Sequence, residues 1–202
     1  INQRWKLQLR QNSLIIAGDD KRETTLGKIR GSTFERGLSV RTTISDLGVS
    51  TVFSPFKHKK LSSLMPSFNA VVSGFYFNPQ AQYNGQYYNL RPVGTEGQTL
   101  DGSKEAYSKF AVSIPVGVQM ERHINQKFVL GIAWTYHKLF FDYLDDLSVG
   151  RYPEPEALKA ANPDLGDIAV KLSNPNDQSG QRSYSADNDG FGYFNITARW
   201  KL

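Results

Sequence analysis

Between Lys109 and Glu121 the chain alternates strictly between apolar and small or polar residues, and this period of two constrains its fold more than any other feature. Phe110, Val112, Ile114, Val116, Val118 and Met120 take one set of positions, and Lys109, Ala111, Ser113, Pro115, Gly117, Gln119 and Glu121 take the other. Successive side chains of a strand leave on opposite faces, so the segment reads as a ribbon with one apolar and one polar side. The pattern recurs in 191–202, where Phe194, Ile196, Ala198, Trp200 and Leu202 oppose Asn195, Thr197, Arg199 and Lys201. It recurs in 128–138, with Phe128, Leu130, Ile132, Trp134 and Tyr136 against Gly131, Ala133, Thr135 and His137. Near the start, Trp5, Leu7 and Leu9 oppose Lys6, Gln8 and Arg10. In 44–54, Leu47, Val49, Thr51 and Phe53 oppose Asp46 and Ser50; in 67–78, Asn69 and Ser73 interrupt a mostly apolar run whose faces the pattern leaves unassigned. Convincing helical periodicity is nearly absent.

The links between these six strands alternate in length. Arg122-His123-Ile124-Asn125 makes a short turn and 55–66 a modest one, whereas about 18–43, 79–107 and 141–189 are long and polar. Outer-membrane barrels alternate in this way, with short turns on the periplasmic side and long loops outside, and single-chain bacterial examples have an even strand number from eight upwards. The expectation is therefore an all-β, antiparallel up-and-down transmembrane barrel in one domain, 1–202, with eight strands and the first hairpin upstream of Ile1.

Alternation does not say which face points inward, since a soluble barrel or sandwich buries its apolar face. Three features favour apolar-outward. The polar face carries Lys6, Arg10, Lys109, Glu121, Arg199 and Lys201 among small residues, as a narrow filled lumen requires. Strands of ~12 residues tilted by ~40° span roughly 25–30 Å, the height of the apolar band. Aromatic residues gather near strand ends, at Trp5, Phe53, Tyr107, Phe140, Phe141, Tyr143, Tyr193 and Trp200, as in interfacial girdles. Mean hydropathy of −0.46 does not oppose this, because a barrel keeps only alternate strand residues apolar. Pro115, lacking a ladder donor in mid-strand, predicts a local bulge.

Chemistry has little to work with. With no cysteine there is neither a disulfide framework nor a thiolate metal site. The net charge of +5 is spread along the chain without a dense stripe, so no nucleic-acid partner is expected. The three histidines, His58, His123 and His137, belong to no recognisable hydrolase or metalloprotease motif. A rim pair of His137 with Asp142 reads as a hydrogen-bonded histidine rather than a catalytic one. Asp142-Tyr143-Leu144-Asp145-Asp146 and Asp187-Asn188-Asp189-Gly190 are acidic enough to suggest Ca²⁺, yet the second lacks the distal Glu of an EF-hand loop; solvated carboxylates are the default reading. No catalytic residue, cofactor, metal or small-molecule substrate is expected. Lys57-His58-Lys59-Lys60, in a short turn, is a candidate surface for charge-steered docking of a periplasmic partner, together with Arg122 and His123 in the other turn.

Several segments, taken in order, resemble the PorG-type outer-membrane barrels of the type IX secretion system. They are Gly18-Asp19-Asp20, Leu38-Ser39-Val40-Arg41, Phe77-Asn78-Pro79-Gln80-Ala81, Thr95-Glu96-Gly97-Gln98, Ser113-Ile114-Pro115-Val116-Gly117, Asp142-Tyr143-Leu144-Asp145-Asp146, and Gly190 to Tyr193. The family's amino-terminal hairpin has no counterpart here. The resemblance implies a non-enzymatic component of a protein-export machine, held in outer-membrane lipid, whose short turns face a periplasmic ring of the PorK and PorN type. The contrasting expectation is a general small barrel acting as a porin or on lipid without partners; an eight-stranded interior, just wide enough for side chains, leaves no conduit for folded protein.

Overall fold

The computed structural model describes residues 4–19, 37–56, 64–97, 100, 106–180, 182–183 and 188–200. Every alternating segment forms a strand: β1 Trp5–Asp19, β2 Ser39–Phe53, β3 Leu64–Tyr83, β5 Phe110–His123, β6 Phe128–Lys138 and β7 Gly190–Trp200. A seventh strand, β4 Gln86–Asn89, folds back on the end of β3 around Asn84 and Gly85, both in the left-handed region that tight hairpins require. Short helices α1 Leu90–Val93, α2 Pro155–Ala161 and α3 Gly166–Ser173 lie in the long links.

All neighbours are antiparallel, in the order β1-β2-β3-β5-β6-β7 with β4 beside β3, and the sheet curls into a half-barrel. Among the described residues β1 and β7 do not pair with each other. The β2–β3 and β5–β6 connections leave the sheet at one end, and the long links leave it at the other. The strands run further toward the loop end than the hydropathy pattern indicates. β3 continues through Pro79-Gln80-Ala81-Gln82-Tyr83, and β2 starts at Ser39, with Arg41 opposite Gln80. Beyond the apolar belt the backbone ladder persists while the alternation that reveals it stops.

The apolar faces point outward. Val112 and Ile132 are each 57% exposed and Phe194 is 82% exposed, whereas Ser113 and Thr135 on the opposite face are fully buried. The pairing registers settle β3 as well: Phe68 and Val72 face out, and Asn69, Val71, Ser73, Phe75 and Phe77 face in. Gly117 permits the tight inward curl, since a Cβ there would stand 2.6 Å from the Trp134 carbonyl oxygen and 2.8 Å from Asn69 Oδ1.

Three sequence expectations need correction. No bulge forms at Pro115: Ala70 opposite Val116 and Ser73 opposite Ser113 keep one register, and the ladder to β3 merely loses the two rungs between them. The missing proline N–H removes pairing without inserting a residue. The interior carries charges among small residues over only part of its height. It is layered, with Glu121 and Arg199 paired at 2.7 Å near the turn end and Asp46, bonded to Asn12 at 2.9 Å, in the middle. The loop end holds an apolar layer of Ile44, Phe75, Phe77, Tyr107, Leu139 and Leu144. Finally, the expected girdle divides. Trp5 against Phe53 (4.6 Å) and Trp200 against Phe128 (6.0 Å) border the outer belt, and Phe140 is exposed. Tyr107, Phe141, Tyr143 and Tyr193 instead turn inward, where Phe141 stacks on Phe77 at 5.0 Å and Tyr143 on Tyr107 at 4.8 Å. Curling a sheet leaves room for only a few large rings inside, and these occupy it.

Candidate functional site

The described residues gather most of their buried charge above the apolar layer, where three loop segments meet. The first follows α1: Gly94 closes that helix in the left-handed conformation, its N–H bonded to the Leu90 carbonyl, and directs Thr95 and Glu96 into the interior. The second is the end of Asp142-Tyr143-Leu144-Asp145-Asp146, where Asp146 itself takes a positive φ of 59°. The third contributes Arg182, whose N–H bonds to the Gly150 carbonyl at 2.9 Å.

These segments converge on one guanidinium. Arg182 Nη1 donates to Glu96 Oε1 at 3.2 Å and to the Asp146 carbonyl at 3.0 Å, and Nη2 lies 4.0 Å from Asp146 Oδ2. Glu96 Oε1 also accepts the N–H groups of Ser148 and of Val149 (3.0 Å), and Oε2 the Ser148 hydroxyl at 2.8 Å. Asp146 accepts from the Thr95 hydroxyl and, at 3.0 Å, from the Tyr107 hydroxyl. All three charged side chains are buried. Among the described residues, two carboxylates share this one cation in a buried site. Burial, then the Glu96 charge, pushes Asp146 up to about 7 against the pull of Arg182. Burial and the Asp146 charge likewise raise the Tyr107 hydroxyl.

Within the acidic motif, Tyr143 and Leu144 make packing and backbone contacts. Tyr143 stacks on Tyr107, and Leu144 enters the apolar layer. The Leu144 carbonyl accepts the Thr42 hydroxyl of β2 at 2.6 Å, and its N–H donates to Asp189 Oδ2 at 2.7 Å. Burial, then Asp145, raises Asp189 to about 6. The two acidic clusters of the sequence therefore do approach each other, although Asp187 lies outside the described residues. Among those described, no group of three or more His, Asp or Glu side chains is placed to hold a metal ion. Asp142 and Asp145 are half-buried.

The other nominated residues are elsewhere. Arg122 and His123 end β5 at the short-turn end, Arg122 exposed and His123 half-buried. Lys57, His58, Lys59 and Lys60 lie outside the described residues. His137 faces the interior, stacked on Phe191 at 4.4 Å with Nδ1 3.3 Å from Ser113 Oγ, which also bonds Ser73 Oγ at 2.8 Å. Arg182 is the residue that sequence reasoning missed: a lone arginine in a polar run carries no periodic or motif signal.

Comparison with protein-family models, curated proteins and solved structures finds no match to this chain.

Proposed function

We propose that the chain forms most of an eight-stranded barrel in the outer membrane of a Gram-negative cell, with short turns periplasmic and long loops extracellular. On this reading a further hairpin joins the edges of β1 and β7 and closes the barrel. The barrel serves as a non-enzymatic anchoring component of a type IX secretion apparatus, contacting ring proteins of the PorK and PorN type through short turns that include 55–62 and 121–127. The observation that carries the membrane reading is the outward apolar face, bordered by aromatic side chains and backed by buried serine, threonine and asparagine. In water such a surface is an extended apolar patch of the kind that monomeric soluble proteins avoid. For the role in secretion, the support is the family resemblance of the loop motifs, two of which meet at Arg182.

A solute-conducting porin is the competing reading. Phe77, Phe141, Tyr107 and Tyr143 stacked across the loop-side mouth speak against it. The test is membrane fractionation, followed by cross-linking at Lys57, Lys59 and Lys60 in detergent extracts. Recovery of large periplasmic lipoprotein partners is expected; a monomer with stepwise conductance and no partners would overturn the secretion reading.

A further inference from the structure

We propose that the outer face of the β2–β3–β4 rim, just above the apolar belt, binds the headgroup of a phosphorylated glycolipid in the surrounding leaflet. This inference rests on the membrane reading and adds a ligand to it.

The registers allow the outer face to be followed upward row by row. Leu47, Gly74 and Val112 form one row, and Ser45, Tyr76 and Phe110 the next, with Tyr76 and Phe110 in ring contact at 5.2 Å. Above them the chemistry changes at once. Thr43 stands beside Asn78, then Arg41 beside Gln80 and Asn89, then Gln82 beside Tyr87. Those rows hold no aliphatic side chain on β2, β3 or β4. Because β3 is still in the wall there, these groups face sideways, into the headgroup layer of a bilayer whose hydrocarbon ends near the aromatic pair.

The patch is also preorganised. Asn78 Nδ2 and Gln80 Nε2 both donate to Asn89 Oδ1, at 2.7 and 2.8 Å, and Lys109 Nζ reaches Asn78 Oδ1 at 2.6 Å. The Arg41 guanidinium carbon lies 5.1 Å from the centre of the exposed Tyr87 ring. Two cations flanking a row of amides and an aromatic ring suit a phosphate joined to sugar: the cations take the phosphate, the amides the hydroxyls, and the ring a sugar face. At similar height β1 offers Ile15, Ala17 and the carboxylate of Asp19, so among the described residues the cations of this patch are Arg41 on β2 and Lys109 just before β5.

The full protein is reconstituted in phosphatidylcholine nanodiscs with or without bisphosphorylated lipid A, and retained lipid A is measured by native mass spectrometry after delipidating washes. The wild type is expected to retain lipid A. The double variant Arg41→Ser/Lys109→Ser should lose roughly thirtyfold of that retention, as expected for two interfacial cations. Lys6→Ser, on β1 at the opposite end, should leave it unchanged. Equal retention by the double variant and the wild type, with both inserted, overturns the glycolipid site alone. Failure of the wild type to insert into either bilayer overturns the membrane reading beneath it.

Discussion

Replacing Arg182 with alanine should release the loops from the barrel mouth while leaving the barrel intact. The substitution strips Glu96 and Asp146 of their shared cation in a site where neither is exposed. Breaking a buried ion pair by removing one partner costs about 3–5 kcal/mol, because the charge left behind is uncompensated. At 1.36 kcal/mol per tenfold, that corresponds to opening of the loops roughly a hundredfold to several thousandfold more often. Hydrogen exchange reads the change directly: the Asp146, Ser148 and Val149 amides should lose two decades or more of protection, and β5–β6 amides none. Proton linkage supplies a second readout. Asp146 is held near 7 in the closed site against an ordinary 3.8, so the closed form binds its proton more tightly than the open one. The contribution is complete below about pH 4 and is lost as pH rises through 7. Asp189, raised to about 6, acts in the same direction. Opening, corrected for intrinsic exchange, should therefore quicken from pH 4.5 to 7.5 in the wild type. In Asp146→Asn, which removes the titrating group, most of that dependence should vanish. An Arg182→Ala protein with protection within threefold of wild type, or with a wild-type slope surviving in Asp146→Asn, would refute this account of the clasp.

Other perturbations separate the layers of the molecule. On the membrane reading, Ile132→Lys places a charge on the lipid-facing belt and should cost about 2–4 kcal/mol, seen as loss of the heat-modifiable folded band in lipid; Thr197→Lys, on the inner face, should cost less. Phe77→Ala removes the centre of the aromatic stack, whose neighbours lie 5.0 to 5.9 Å away, and should destabilise by about 3–5 kcal/mol in urea titrations in lipid vesicles, with solute leakage where the wild type has none. Gly117→Val drives side-chain atoms against the Trp134 carbonyl and Asn69, and should lower folding yield more than Gly74→Val, whose Cβ meets nothing within 4 Å.

The wall of this protein was legible because its environment is uniform along each strand. From Phe110 to Met120 and from Phe194 to Trp200, one face is apolar and exposed throughout, and the period of two records it without exceptions. The faces of β3 were not legible, because its inward side passes from Asn69 and Ser73 in the polar layer to Phe75 and Phe77 in the aromatic one. One ribbon crossing two interiors leaves no consistent period. The short helices α2 and α3 escaped for another reason. Two turns give too few residues for a 3.6-residue repeat, and only Pro155 in the first turn of α2 marks a start.

The loop motifs fall between these cases. Thr95-Glu96 and Asp142 to Asp146 attract notice as sequence, but their meaning depends on a partner that periodicity does not encode. Arg182 lies 86 residues from Glu96 and 36 from Asp146, and the three meet because β5, β6 and the helical link bring their loops to one end. A buried carboxylate pair sharing one cation contributes little net stability over apolar packing, so its value is specificity. It admits one arrangement of three loops above the Phe75–Phe77 layer, since any other leaves a charge unpaired out of water. If that holds, Glu96→Met, Asp146→Leu and Arg182→Met introduced together should restore or raise loop protection relative to Arg182→Ala, yet give several exchanging loop conformers where the wild type gives one. Retention of a single conformer in the triple variant, by amide NMR in detergent micelles, would show that shape alone positions the loops.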